Sequence, residues 1–316
     1  MLFHNVKDYC TCCTHIVGCA YYWRRNKPVT EKASGSAGPR ESASSLTQTV
    51  ERALSILTCF SDARPRIRVS DIARELELSQ STVSRLLATM EALGFVERDP
   101  TTGLYNLGLE LVTLAGVALN QIEVRRQAMS ELSAAATELG LAANLAILRG
   151  DEIFYLATVE GPKAPKQHTM IGKRNMLHCT GMGKVLLAHL PDSEREQCMA
   201  RLSYPRLTPN TAGSAEDLLA MLDQVLAQGY AAEREELAFG RACVAAPIRD
   251  ASGVVIAATS ISGPTSAINL EQAETHFAGR VIQMADTISH NLGYITVPTA
   301  LTINRRLSVN TRSSQG

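Results

Sequence analysis

The chain has 316 residues, 45% hydrophobic and 20% charged, which is typical of soluble globular proteins and gives room for two domains. Its 31 basic residues equal its 31 acidic ones, so binding of nucleic acid through overall charge is excluded. No apolar run in the sequence approaches the roughly 18 residues that a membrane span needs, and there is no signal-peptide pattern, so the expected location is the cytoplasm.

Residues 1–45 differ in composition from the rest of the chain. The leader is rich in cysteine and histidine, at His4, Cys10, Cys12, Cys13, His15 and Cys19. These residues lack the paired spacing of zinc ligands, so a disordered leader, or sequence upstream of the true start, is favoured over a metal site. The polar tract at 29–45 predicts a flexible linker. The remaining cysteines are expected to be reduced thiols: Cys59, Cys179, Cys198 and Cys243.

The stretch SQSTVSRLLATMEALG (79–94) has the apolar spacing of an amphipathic helix. Ser79 is the expected N-cap, and Gly94 is placed to end the helix. One stripe of this helix should be buried: Val83, Leu86, Leu87, Met90 and Leu93. The preceding VSDIARELEL (69–78) predicts a shorter helix, capped by Ser70 and buried through Ile72, Ala73 and Leu76. The two helices are close enough in sequence to form a helix-turn-helix.

Two short strands, GFVERD and LYNLG, follow this helix pair with a turn at Asp99 and Gly103 between them. A β-hairpin in this place is a wing. The second helix presents a slim polar face that suits the major groove of DNA, where short hydroxyls and arginine contact phosphates or base edges. Any amphipathic helix has a polar face, and the preceding helix and the wing make the DNA interpretation the stronger one. The candidate contacts are Gln80, Ser81, Ser84, Arg85 and Arg98.

The charge of this region counts against simple attraction to DNA. Residues 46–110 hold seven arginines, no lysine and nine acidic residues, which gives a net charge of −2. Phosphate contacts supply much of the affinity of DNA-binding domains, so the positive charges would have to lie on one face. Arg64, Arg66 and Arg68, together with Arg85 and Arg98, are the candidates for that face.

Residues 109–139 are predicted to form a linker helix between the winged region and a second domain. An apolar stripe runs along it and includes Leu107, Leu111, Leu114, Val117 and Ala118. The sequence leaves two roles open for this stripe: a dimer contact, or packing within the same chain. Residues 140–294 then alternate strand-like and helix-like stretches, which predicts an α+β sheet with helices outside it. Residues 295–316 are expected to be a disordered tail.

The order TQTVERAL at 47–54, then the winged module, then the motifs of the second domain resembles the IclR family, the isocitrate lyase regulators. The resemblance covers roughly 46–294. It implies a winged helix-turn-helix domain at 46–108, a dimerising linker helix, and a GAF-like α+β domain that binds a small organic acid. It also implies a homodimer or a dimer of dimers on double-stranded operator DNA, with no cofactor.

The resemblance places the contacts for a small acid in the second domain: Gly181, Met182, Glu233, Cys243, Ser260 and Ser262. The first two begin a helix, where free N–H groups favour an anion, although glycines kept only for packing would give the same pattern. The serines lie two apart on a strand, so both hydroxyls face one side. Well-known acid-binding members have aspartate at the position of Glu233, so a longer side chain should narrow the pocket here, and its charge should disfavour a second carboxylate.

Two other classes of protein remain as alternatives to a regulator. An enzyme would use His178 with Cys179, or Cys243, but neighbouring residues on a strand face opposite sides. No Ser-His-Asp arrangement, metal pair or phosphate loop appears, since Lys184 is followed by valine rather than Ser or Thr. A scaffold protein would use the winged module for protein contacts. The prediction is a ligand-controlled regulator of a catabolic operon, with repression or activation left open.

Overall fold

A computed structural model describes residues 41–164 and 171–295. The cysteine-rich leader, most of the predicted linker and the tail beyond Ile295 lie outside these ranges, as do the predictions made for them. The chain divides between Gly108 and Leu109 into two compact units. In the part of the chain that the structure describes, no helix combines the length and the apolar character of a membrane span.

The first unit contains the predicted helix-turn-helix and wing. Its helices are α1 (Glu41–Thr58), α2 (Val69–Glu75) and α3 (Gln80–Ala92), and its strands are β1 (Val96–Arg98) and β2 (Tyr105–Leu107). The predicted linker was drawn too long, because α1 begins at Glu41, inside the tract that the composition assigned to a flexible segment.

The turn between α2 and α3 is held by caps and by one strained residue. The hydroxyl of Ser79 accepts the N–H of Thr82 at 3.2 Å, which confirms the N-cap of α3. Ser70 was wrongly predicted as the cap of α2: it lies inside the helix, and Arg68 occupies the cap position without a side-chain hydrogen bond. Glu77 has φ 52°, a left-handed conformation that turns the chain sharply between the two helices.

The predicted stripe of α3 belongs to the core of this unit with one exception. Val83, Leu86, Leu87 and Met90 are buried, whereas Leu93 is 62% exposed. Leu93 is not part of the buried stripe because α3 ends at Ala92. The next residue after Leu93, Gly94 with φ 77°, already turns the chain toward β1.

The wing is a two-stranded antiparallel hairpin, as predicted. Val96 lies opposite Leu107 and Arg98 opposite Tyr105. The carboxylate of Asp99 accepts the N–H groups of Thr101 and Thr102 at 2.8 and 3.1 Å, and these bonds hold the pKa of Asp99 below its usual value.

The linker is two helices rather than the single one predicted. Helix α4 (Glu110–Asn120) has Gln121 as its C-cap, and α5 (Glu123–Leu139) begins after Ile122, whose ψ of 101° is extended. Leu107, placed in the helical stripe from sequence, belongs to β2. Ile122, at the bend between the two helices, packs against the core of the second unit.

The second unit is built on a six-stranded antiparallel sheet with the order β5-β4-β3-β8-β7-β6. The strands are β3 (Ala142–Arg149), β4 (Glu152–Glu160), β5 (Arg174–Met176), β6 (Ala231–Arg234), β7 (Arg241–Arg249) and β8 (Val255–Pro264). The described helices beyond α5 are α6 (Gly181–Ala188), α7 (Asp192–Arg201), α8 (Ala215–Gln228) and α9 (Leu270–Asn291). The predicted α+β class is confirmed, and the three-residue β5 was missed.

The two faces of the sheet carry different helices. On one face, α5 and α9 pack on residues such as Val244 and Ile261. On the other face, α6, α7 and α8 pack on residues such as Ala245 and Tyr155. The second face also carries the polar residues described below. They line a small cavity between the sheet and α6.

Two glycines in helices of this unit allow a matched test of the packing. A Cβ on Gly183 would lie 2.3 Å from the carbonyl oxygen of Leu177, whereas a Cβ on Gly279 meets nothing within 4 Å. Gly183→Ala is expected to lower the free energy of unfolding by about 1–3 kcal/mol, since the clash is with backbone. Gly279→Ala should raise it by about 1 kcal/mol through helix propensity. Urea unfolding measures both, and a neutral Gly183→Ala would contradict the packing of α6 on its preceding turn.

Candidate functional site

A row of polar side chains crosses one face of the sheet. In the antiparallel register, Cys243 of β7 lies opposite both Glu233 of β6 and Ser262 of β8, and one row further Ser260 lies opposite Asn144 of β3. Residues directly opposite each other in neighbouring strands project to the same side. Four strands therefore contribute to a single polar surface beneath α6.

This surface forms the wall of a small cavity, named here the inner cavity, whose volume of about 10 Å³ has room for roughly one water molecule. It brings together all the residues that the sequence proposed for an acid: Gly181, Met182, Glu233, Cys243, Ser260 and Ser262. Sequence reasoning missed the other lining residues: Tyr155, Thr180, Leu237 and Arg241. Arg241 could have been found, since it precedes Cys243 by two positions on a strand and therefore shares its face.

The N-terminus of α6 closes one side of the inner cavity. Thr180 caps it, its hydroxyl accepting the N–H of Gly183 at 3.1 Å and its carbonyl accepting the N–H of Lys184 at 3.0 Å. The N–H of Gly181 points to the thiol of Cys243. A Cβ on Gly181 would lie 2.8 Å from that sulfur, so only glycine allows this approach.

These bonds change what the helix can offer a ligand. Two of its first four N–H groups, those of Gly183 and Lys184, have hydrogen-bond partners within the chain. Among the described residues the N–H of Met182 has no partner, and that of Gly181 has only the weakly accepting thiol of Cys243 beside it. The sequence predicted that a carboxylate would lie against Gly181 and Met182. The structure leaves the N–H of Met182 free at that place and the N–H of Gly181 beside a weak acceptor.

The two serines belong to a buried hydrogen-bond network. The Asn144 side-chain amide donates to Ser260 Oγ at 3.2 Å and to Ser262 Oγ at 3.0 Å, and Asn144 Oδ1 accepts from the hydroxyl of Thr158 at 3.0 Å. Because both serine oxygens accept from Asn144, each serine hydroxyl proton is free to be donated elsewhere. The network therefore orients two donors toward the inner cavity.

Glu233 is the acidic group of the inner cavity, and it is only 1% exposed. Its Oε1 accepts the N–H groups of Glu236 and Leu237 at 2.7 and 3.2 Å. Burial raises the pKa of Glu233 above its ordinary value, and the neighbouring Glu236 adds to this, while the backbone bonds and Lys184 oppose it. Lys184 itself is paired with Glu236, Nζ to Oε1 at 2.5 Å.

The predicted DNA contacts lie on the surface of the first unit. Gln80, Ser81, Ser84 and Arg85 are exposed along α3, and Arg98 is exposed on β1. The guanidinium carbon of Arg98 lies 6.0 Å from the centre of the Tyr105 ring, which orients this arginine on the wing.

Some of the arginines proposed to offset the acidic residues of the first unit already have partners within the chain. Arg64 forms an ion pair with Glu75, and it also donates to the carbonyl of Cys59 at 2.9 Å. Arg66 and Arg68 are exposed before α2. Arg64 is therefore a weaker candidate for phosphate contact than these two.

A winged helix-turn-helix joined to an α+β unit with a buried polar cavity defines a transcriptional regulator of the kind that senses a small molecule. The family profiles agree: residues 49–100 match the IclR helix-turn-helix domain, and residues 116–290 match the bacterial transcriptional regulator IclR C-terminal domain. The chain belongs to the IclR family of bacterial transcriptional regulators.

Individual relatives cover most of the chain. It is 35% identical over 250 residues to the HTH-type transcriptional regulator XynR of Escherichia coli K12, covering 79% of this chain and 98% of that protein. A transcriptional regulator from Rhodococcus sp. RHA1 is 31% identical, with a TM-score of 0.71 over 78% of this chain and 98% of that one. An IclR homologue from Microbacterium hydrocarbonoxydans, crystallised with 4-hydroxybenzoate, is 27% identical, with a TM-score of 0.68 over 77% of this chain and 98% of that one.

Proposed function

We propose that this regulator controls a catabolic operon in response to a small organic acid bound in the inner cavity. The observation that carries the proposal is the convergence of Ser260, Ser262, Cys243 and the start of α6 around one buried space. Two oriented hydroxyl donors, one free N–H and a buried carboxyl group suit a small, oxygen-rich ligand. The relative that binds 4-hydroxybenzoate supports a ligand of this class.

We infer that the second unit binds rather than transforms its ligand. Burial raises the pKa of the Cys243 and Cys179 thiols to about 12 each, so neither provides a thiolate at neutral pH. His178 Nε2 lies 3.2 Å from the carbonyl oxygen of Pro205. His178 and Cys179 lie in a turn rather than on a strand as the sequence suggested, but this contact and the buried thiol give the pair no nucleophilic role.

The first unit would bind operator DNA through α3 and the wing, which requires the protein to act in the cytoplasm. A homodimer or a dimer of dimers is supported by apolar side chains on α4 that are exposed in the single chain: Val112, Leu114 and Val117. Two-fold pairing predicts a pseudopalindromic operator with half-sites one helical turn, or a multiple of it, apart. Footprinting that shows a single half-site would contradict the pairing.

Calorimetric titration of the full-length protein tests the acid-binding proposal. The ligands are pyruvate, 4-hydroxybenzoate and gluconate, which represent a keto acid, an aromatic acid and a hydroxy acid. At least one should bind with saturable heat at one site per chain. If none of the three binds, the inner cavity is not the site of a small acid as proposed.

A further inference from the structure

Arg241 holds a charge in the inner cavity that neither the sequence-based site nor the network around Asn144 uses. It is the first residue of β7, two positions before Cys243, and it is half-buried. Among the described residues its guanidinium makes no ion pair and no side-chain hydrogen bond. By contrast, Lys184, the cation bonded to the backbone of β6 nearby, is neutralised by Glu236.

The charged and polar groups of the two cavities follow successive rows of the sheet. Along β7, Arg241 lies outermost, Cys243 and its neighbour Glu233 lie one row inward, and Ala245 with Ser260 lies a further row inward. Successive rows on one face are about 6.6 Å apart. The inner rows therefore hold hydroxyl donors and an acidic group, and the outer row holds an unpaired cation.

This order determines where a carboxylate of the ligand would bind most favourably. At the inner end it would meet Glu233, and α6 offers the N–H of Met182 and that of Gly181, which lies beside the Cys243 thiol. At the outer end the guanidinium of Arg241 offers paired N–H donors in the fork that matches a carboxylate. The inner end suits the uncharged oxygens of the same molecule, which can accept from Ser260 or donate to Glu233.

A second cavity of about 270 Å³ adjoins the first and is named here the outer cavity. Its walls include Asn144, Phe239 and the acidic Glu160, and it shares Arg241 and Ser262 with the inner cavity. Arg241 therefore stands at the junction of the two cavities, and of the residues that the structure describes it is the one cationic residue in the lining of either.

We propose that Arg241 binds the carboxylate of the effector at this junction and makes the site select acids over their uncharged analogues. This inference rests on the proposed function, because it takes the inner cavity as the effector site. The carboxylate faces Arg241, and the uncharged part of the molecule extends toward Ser260, Ser262 and Glu233, which requires the inner cavity of about 10 Å³ to widen on binding.

The test compares each acid with its amide on the full-length protein: pyruvate with pyruvamide, 4-hydroxybenzoate with 4-hydroxybenzamide, and gluconate with gluconamide. Arg241→Leu removes the cation. Arg149→Leu is the matched control, since it removes an arginine from the end of β3, outside the linings of both cavities. Arg241→Lys keeps the charge without the fork. Calorimetry gives the affinities, and thermal unfolding without ligand checks the fold of each variant.

Arg241→Leu should weaken the acid about 10- to 150-fold, the range of one hydrogen bond to a charged group, and change the amide by less than about threefold. Arg149→Leu should bind both as the parent does, and Arg241→Lys should lose part of the preference for the acid.

An unchanged acid-to-amide preference in Arg241→Leu overturns the inference while the proposed function stands. If Arg241→Leu does not fold, Arg241→Lys decides, and parental preference in that variant overturns the inference. Failure of every acid to bind the parent overturns both.

Discussion

Replacing Ser260 and Ser262 together by alanine is expected to weaken effector binding at least tenfold while leaving operator binding without ligand intact. Each hydroxyl accepts from Asn144 and keeps its own proton for a ligand. A hydrogen bond to a charged or strongly polar ligand oxygen contributes about 1.5–3 kcal/mol, and loss of both bonds accounts for a tenfold change or more. Titration of the acid that binds the parent most tightly measures the effect.

The double variant also leaves the buried Asn144 amide without its two acceptors, so some loss of stability is expected. Ser289→Ala is a suitable control, because Ser289 is a buried serine of the same unit that bonds to Arg249 and Ala285 and lies outside both cavities. This control should lose stability and keep effector affinity. If the double serine variant binds the acid as tightly as the parent, the serines are not ligand contacts.

Arg85→Ala is expected to lower operator affinity by about 1–3 kcal/mol, or roughly 5- to 150-fold, without unfolding the first unit. Arg85 is exposed on α3, next to the polar Ser84 and opposite the buried Val83, Leu87 and Met90. Its side chain therefore contributes nothing to the core, and its expected role is contact with a base edge or phosphate. Fluorescence anisotropy with an operator selected from random DNA measures the affinity.

Arg126→Ala provides the comparison for this variant. Arg126 is an exposed helical arginine of the second unit, paired with Glu123, and its loss changes the net charge by the same amount. It should leave operator affinity within about twofold of the parent. Parental affinity in Arg85→Ala would remove this residue from the DNA interface.

Local signals explain why much of the first unit could be predicted from the sequence. The Ser79 cap, the turn at Asp99 and Gly103 and the apolar stripe of α3 each depend on neighbouring residues. Errors arose where tertiary packing decides. Leu93 lies beyond the last turn of α3, and Ile122, at the bend between α4 and α5, packs against a core most of whose residues are distant in sequence.

The candidate site shows the same division between local and long-range information. Alternation along β8 predicted that Ser260 and Ser262 share a face, and family resemblance supplied the other expected contacts. The engagement of Gly181 with Cys243 could not be predicted, because it depends on how closely α6 approaches β7. The alternation along β7 could have indicated Arg241. Its lack of a partner could not be predicted, because it depends on where the neighbouring acidic residues lie.

The central claim is that an acid in the inner cavity controls operator binding by the first unit. Operator affinity of the full-length protein, measured by anisotropy with and without the tightest-binding acid, tests it most directly. In the parent the acid should change operator affinity by about 5- to 150-fold, the usual range of coupling between sites. At the acid concentration that saturates the parent, the variant with Ser260→Ala and Ser262→Ala should show little change. An equal response in that variant, or no response in the parent, would contradict the account.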